Sequence, residues 1–438
     1  MASHFEKHSG KYRVVFLIVF SFFIIHSTWK LLKSPLAKGD LECYRFAAQQ
    51  MVAGEDIYTI TSRPINQGGS YYLYSPLFAF LFIPFTFLPI TVGAIIWCLL
   101  NVFLIYWSTT AFYEVITGMQ FRALPVDSRW IMGIVPVLLT LRFILYHLDY
   151  GQANILVMAI MILGLRLIRS GGANSFLGGA MAGASIAIKL VTAPFAIWFL
   201  LERNVRVLVG LMLGIGLSLL LPASLLGFGK NWSYLRSWVQ IVFPYPDLSR
   251  FPLNFSANVS LQAQLHRFFS YVPAFKYNGQ EYYFTIFQAQ ASSIRIAERL
   301  ISLAILGAIV VYRALFRKSA DIVSRWGGVA LTFAFIPIFT PTAQQHYFVF
   351  LLPSYVYVIY VWHRLRLADK WFRGLVIASF VVASLTTDGI CGQLLGDIFN
   401  AAGCIPGGTL LLAAAIFRAA SCLRRNVVGL TPGLKASM

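Results

Sequence analysis

Charge is scarce in this chain, and acid is scarcer still. Only 12% of its 438 residues are charged, with 16 Asp and Glu against 35 Lys and Arg. So thin a supply cannot clothe a soluble domain of this length. The five cysteines, Cys43, Cys98, Cys391, Cys404 and Cys422, form no CxxC pair and no His/Cys metal spacing. The glycine fingerprint of a nucleotide-binding sheet is missing, and with it the expectation of a cytosolic nucleotide-sugar site. No internal repeat is evident, and no low-complexity tract beyond a small polar tail at each end.

What fills the chain is apolar. The hydrophobic fraction is 58%, and the mean hydropathy is +0.71. Apolar runs near the roughly 20 residues needed to cross a bilayer recur almost from end to end. They are continuous rather than alternating, which argues for an all-α polytopic membrane protein and against a β-barrel. The net charge of +19 comes from bases scattered in ones and twos between the runs. That scatter suits membrane orientation and makes no nucleic-acid patch.

Charge asymmetry then predicts a topology. Lys7, Lys11 and Arg13 precede a first span at about 14–32, so the N-terminus is expected inside. That span lacks a small-residue cleavage site and is expected to stay as an anchor. Residues 33–90 form a first outer loop, carrying an interfacial helix and then a short re-entrant helix at about 75–89, broken by Pro76, Pro84 and Pro89. Further crossings are expected at about 91–112, 130–147, 152–168, 174–190, 191–201, 206–227, 294–312, 326–340, 346–362, 373–387 and 406–422. The total is about twelve, with both termini cytoplasmic. The whole chain, 1–438, reads as one polytopic membrane domain, with a large outer loop at 228–293 and a cytoplasmic tail at 423–438. Cys391 and Cys404 flank one outer loop, which leaves a disulfide open there.

The outer face collects the polar sequence. In "KGDLECYRFAAQQMVAGEDIYTI", residues 38–60, apolar Leu41, Tyr44, Ala48, Met51 and Val52 recur at helical spacing. A helix capped by Asp40 and ended by Gly54 is expected in the membrane interface. Asp40 therefore has two readings. It caps a helix, or it is a carboxylate fixed at the water boundary and able to take a proton from a hydroxyl. In the second case the helix N-terminus is expected to stabilise the anion and lower its basicity, leaving proximity to supply the rate.

The succession "GDLECYRFAAQQMVAGEDIY", "YYLYSPLFAFLFIPF", "YGQANILVMAIMILGL", "GASIAIKLVTAP" and "TPTAQQHYFVFLLP" resembles glycosyltransferase family 87. These are GT-C-fold, integral membrane, mannosyltransferase-like enzymes of the cell envelope. They take sugars from polyprenyl-phosphate donors. The resemblance runs over about residues 38 to 352. It implies an inverting transfer on the extracytoplasmic face of the plasma membrane, with mannose as the expected sugar and a glycolipid or glycan acceptor. Asp40 would be the general base. Lys189, His346, Arg142 and Arg267 are the cationic candidates for the leaving phosphate. Glu42, Tyr44, Tyr74, Gln152 and Asn154 are candidates for sugar or acceptor contacts. No metal ion or other cofactor is expected.

Each candidate has a structural alternative. Lys189 ends an apolar helix and can snorkel to the interface. His346 opens a span, and Arg142 can pair with Asp149. Arg267 lies in a loop segment. Gln152 and Asn154 can satisfy backbone at a helix start, and Tyr74 and Pro76 can shape the re-entrant helix. Rival functions are a polyprenyl-phosphate-arabinofuranose transferase, a GT-C glycan polymerase or ligase, and a secondary transporter. A transporter calls for repeated halves and midplane ionisable sites, whereas the polar motifs here sit at span ends.

Overall fold

The structure is a computed structural model that describes residues 21–22, 25–26, 28–29, 39–58, 71–242, 257–317, 319 and 321–429. The first predicted span and the basic residues before it lie mostly outside that set. Among the described residues nearly all regular structure is helical, as composition requires.

Helix α1 (Asp40–Ala53) ends at Gly54, whose φ of 75° is left-handed, as its glycine predicts. Its start differs from expectation. Gly39 occupies the cap, Asp40 is already the first helical residue, and the Asp40 side chain caps nothing. The apolar side of α1 buries Leu41, Tyr44, Ala48 and Met51 against protein, but Val52 is exposed. Arg45 ties α1 to the carbonyls of Leu88 and Thr86 at 2.7 and 3.3 Å. These lie at the end of α2 (Pro76–Phe82) and its 3-10 continuation, Ile83–Phe87. Twelve helical residues reach only about 18 Å, too short to cross the roughly 30 Å hydrocarbon core.

Helix α3 (Ile90–Thr117) is long enough to cross. The next predicted crossing is broken. Helices α4 (Val126–Leu139) and α5 (Leu141–Asp149) meet at a bend of 64°. Pro136 removes one ladder donor, Thr140 leaves helical geometry at φ −108°, and its hydroxyl takes the Pro136 carbonyl at 2.8 Å. There follow α6 (Asn154–Ser170), α7 (Asn174–Ile188), the 3-10 turn Leu190–Thr192, α8 (Pro194–Glu202) and α9 (Val205–Leu220). Helices α7 and α9 touch backbone to backbone. A Cβ on Gly210 or Gly214 would fall on the carbonyls of Phe176 or Ala180, and one on Gly179 or Gly183 on those of Val207 or Leu211. Small residues four apart on both partners give this close approach, which maximises dispersion where water supplies no driving force.

The stretch predicted as one large loop is largely folded. It carries α10 (Ala223–Leu226) at its border, then α11 (Phe228–Val242), α12 (Leu261–Phe269) and a hairpin of β1 (Phe275–Tyr277) with β2 (Gln280–Tyr282). Helix α13 (Ala291–Phe316) precedes α14 (Ile322–Phe339), which is apolar all round and has 78% of its apolar window buried, against 33% for α3. Helix α14 is therefore the centre of the bundle, while α3 shows much of its surface to the surroundings. After the 3-10 turn Gln345–Phe350 come α15 (Leu351–His363) and α16 (Lys370–Phe380), the latter widening into a π turn at Val381–Leu385. Short α17 (Asp388–Cys391) and α18 (Gln393–Ala401) lead to α19 (Cys404–Gly429). Among the described residues, four helices are each long and apolar enough to cross a membrane, and a fifth span arises if α4 and α5 count together. All five cysteines are free, so no disulfide joins Cys391 to Cys404.

Candidate active site

Breaks between helices build the site. Between α5 and α6, Gly151 takes φ 60°, a left-handed conformation that a side chain would strain. The turn is pinned by Gln152 N–H to the His147 carbonyl at 3.1 Å and by the Trp97 indole to the Gly151 carbonyl at 2.9 Å. Its Tyr150 carbonyl accepts the Asp40 backbone N–H at 2.9 Å. The start of α1 is thus docked on the turn that opens α6. Asp40 and Gln152, 112 residues apart, meet there.

Gln152 Nε2 donates to Asp40 Oδ2, and the Tyr44 hydroxyl approaches the same oxygen at 3.5 Å. Oδ1 accepts no hydrogen bond among the described residues and so stays open to a partner. The Tyr44 and Tyr74 hydroxyls are 2.8 Å apart, and Tyr74 also reaches Gln152 Oε1 at 3.4 Å. Tyr74 accepts from Lys189 Nζ at 2.9 Å, and the same ammonium donates to Asn154 Oδ1 at 2.7 Å. Asn154 Nδ2 in turn donates to the His346 carbonyl at 3.1 Å. One polar chain therefore runs Asp40–Gln152–Tyr74–Lys189–Asn154–His346.

Lys189 stands in the extended link between α7 and the following 3-10 turn, at φ −149° and ψ 118°. Its ammonium lies 4.7 Å from the Tyr74 ring centroid and 4.5 Å from that of Tyr347. This aromatic clamp and two hydrogen bonds turn the side chain into the protein, so Lys189 does not snorkel. The His346 ring stacks on Tyr146 at 6.1 Å, and its Nδ1 is buried without a partner among the described residues. Burial raises the Asp40 pKa above the ordinary aspartate value, while the Lys189 charge and the hydrogen bonds from Gln152 and Tyr44 pull it back. Desolvation is the largest of these causes, and its direction is opposite to the expected weakening of the base.

Other candidates fall elsewhere. Asp149 is not the partner of Arg142. Its guanidinium binds Gln345 Oε1 at 3.1 Å, the carbonyls of Ala383 and Thr386 at 3.0 Å each, and Asn400 Oδ1 at 2.8 Å. Arg142 thus fastens the 3-10 turn of His346 to the widened end of α16. Arg267 is fully buried, with Nη2 on the Asn258 carbonyl at 2.8 Å. Asn258 and Ser260 belong to a loop stitched to Pro341 and Ala343. Neither arginine joins Lys189. Glu42 is half-buried and does not enter the network around Asp40. Gln152 and Asn154 are buried connectors whose amides already serve protein partners. Tyr74 is central to the network as well as preceding α2. Among the described residues, no three His, Cys, Asp or Glu side chains gather where they would hold a metal ion.

Sequence reasoning missed Tyr146, Tyr347 and His147. The last is buried beneath the Gly151 turn, with Nε2 3.1 Å from Asn101 Oδ1. In a chain with 21 tyrosines, nothing local distinguishes the two that line this site.

Comparison with known proteins places the chain in a family. The model of glycosyltransferase family 87 matches residues 72–341, an interval that contains Tyr74, Gln152, Asn154 and Lys189 but stops short of Asp40 and His346. A protein of Mycolicibacterium smegmatis is 24% identical over 242 residues, covering 53% of each chain. One of Mycobacterium tuberculosis is 25% identical over 245 residues, covering 53% of this chain and 55% of its own length. Both are described as polyprenol-phosphate-mannose-dependent alpha-(1-2)-phosphatidylinositol mannoside mannosyltransferases. The chain spans about half the length of these curated relatives. No solved structure gives a significant match.

Proposed function

The chain belongs to glycosyltransferase family 87, and from that premise we propose that it is an inverting glycosyltransferase moving a sugar from a polyprenyl-phosphate donor to a lipid-linked or glycan acceptor. Mannose is the proposed sugar, on the strength of the relatives' donor. The single observation that carries the reading is the Asp40–Gln152–Tyr74–Lys189 chain, which holds an open carboxylate oxygen and an ammonium within one network.

In the proposed reaction an acceptor hydroxyl lies against Asp40 Oδ1. As its oxygen bonds to the anomeric carbon, its proton passes to Asp40. The bond from that carbon to the phosphate oxygen breaks on the opposite face, and polyprenyl phosphate departs with the electron pair. Gln152 holds Oδ2 and so orients the free oxygen. Raised basicity, with desolvation as its cause, favours proton acceptance. Lys189 has two of its three ammonium protons committed, and we assign the third to the phosphate oxygen that gains charge. His346, with its unpartnered Nδ1, is the second proposed phosphate contact.

The membrane arrangement is part of the proposal: about twelve crossings, Asp40 on the extracytoplasmic face of the plasma membrane, and both termini inside. Support comes from the charge asymmetry and from the site's lying at one end of the bundle, away from the arginines at the ends of α6, α8 and α13.

The test is direct. Purified protein is incubated with polyprenyl-phosphate mannose or polyprenyl-phosphate arabinofuranose and a membrane lipid extract, and products are analysed by mass spectrometry. A mannosylated product that is absent with Asp40→Asn supports the reading. Transfer of arabinofuranose alone would replace the sugar. No transfer from either donor, by protein shown to be folded, would overturn the enzyme.

A further inference from the structure

The opposite end of the bundle holds a cavity that the transfer reaction does not use. Asn154 opens α6 and Arg169 lies in its last turn, fifteen residues or about 22 Å away. Helix α14 likewise carries Arg325 in its first turn and ends at Phe339, a few residues before His346. Where these helices finish, far from Asp40, a cavity of about 260 Å³ opens among Arg169, Arg313, Arg325 and Glu202. Leu165, Ile168, Phe199 and Val207 line its apolar side.

The charges do not balance. Glu202 neutralises Arg313, with Nε and Nη2 at 2.8 and 3.0 Å from its two oxygens. Arg169 and Arg325 have no carboxylate partner among the described residues. Arg169 is instead held over the Trp326 ring at 5.6 Å, and Arg313 over the Trp198 ring at 6.0 Å. Stacking fixes a guanidinium plane without using all its donors, which leaves N–H groups to face the cavity. Two indoles beside apolar walls are the furnishing of a headgroup-depth site in a membrane.

We propose that this cavity binds a phosphate mono- or diester at the basic end of the bundle, through Arg169 and Arg325, with an anionic membrane lipid as its source. Planar guanidinium forks match phosphate oxygens in pairs. Basic pockets between membrane helices on the cytoplasmic side attract anionic headgroups. The apolar wall accommodates the first carbons of a lipid and gives a free phosphate ion nothing. The site is independent of the transfer reaction, so its test needs no substrate.

Detergent-purified protein is titrated with dioctanoyl phosphatidylglycerol, dioctanoyl phosphatidylcholine and inorganic phosphate, with binding followed by native mass spectrometry and melting temperature. Phosphatidylglycerol is expected to bind saturably, and Arg325→Gln to weaken it about tenfold or more, as loss of a charge-assisted hydrogen bond implies. Arg325 is exposed, so that variant keeps its buried packing and decides the matter even if Arg169→Gln fails to fold. Saturable binding of inorganic phosphate with no preference for the lipid would overturn the lipid as the occupant. Equal binding of phosphatidylglycerol and phosphatidylcholine, or undiminished binding by Arg325→Gln, would overturn the proposal.

Discussion

The Gln152 amide and the Asp40 carboxylate, 112 residues apart, are joined through one carboxylate oxygen while the other stays open. A capping aspartate would turn its oxygens toward the first N–H groups of its own helix. Asp40 turns them away, toward the turn that opens α6. The geometry removes the capping reading, and the role of general base is the one proposed.

Asp40→Asn should therefore keep the fold, since it is nearly isosteric and no cap is lost. Transfer should fall by about 10²–10⁴-fold, the usual worth of a positioned general base. Turnover assays beside a melting curve check both halves. Normal turnover would return Asp40 to a structural role.

The pH profile carries a sign. Asp40 accepts a proton only when ionised, and burial raises its pKa, so transfer should rise with pH along an acid limb above the ordinary aspartate value. Gln152 stabilises the anion by its hydrogen bond. Gln152→Leu should move that limb to still higher pH. The measurement is kcat/KM against pH for both proteins, and coincident limbs would refute the assignment.

Lys189→Met removes the ammonium but keeps an unbranched chain between Tyr74 and Tyr347. Loss of about 10²–10³-fold in kcat is expected, as when one stabilising donor is removed from a developing charge. A rise in KM alone would mean that Lys189 serves ground-state binding. Steady-state kinetics with varied donor resolves the two.

Gly210→Leu tests the fold without touching the site. Its side chain would collide with the Phe176 backbone and wedge α7 from α9. Overpacking of this kind costs about 1–3 kcal/mol, visible as a lower melting temperature in detergent. Gly216, with open space around it, should tolerate alanine.

Arg142→Met should act through stability as well. The arginine holds Gln345, Ala383, Thr386 and Asn400 together, and their polar groups would be left wanting. A lower melting temperature with a nearly unchanged donor KM is expected. A large rise in donor KM at unchanged stability would restore Arg142 to the phosphate.

Helices were legible because apolar runs must form them wherever backbone groups cannot meet water. Their interruptions were legible only in part. The bend at Thr140 falls inside apolar sequence that reads as one crossing, and the 3-10 turn Gln345–Phe350 takes up the start of another, whereas the link at Lys189 lies at an expected boundary between two crossings. Yet those interruptions are where the site is built, because a broken helix frees side chains and backbone to point inward. Asp40, Tyr74, Gln152, Asn154 and Lys189 were recognisable as polar residues at the ends of apolar runs. Tyr146 and Tyr347 were not, since a tyrosine among many carries no positional signal.

By composition and periodicity alone, this chain had to be a helical membrane protein with its polar chemistry at helix ends. Both properties follow from local transfer energies, which each segment carries with it. Which arginines serve the bundle, which carboxylate oxygen stays open, and that Lys189 faces Tyr74 rather than water were decided by the tertiary structure. Those are relations between residues more than a hundred positions apart, and only packing brings such residues together.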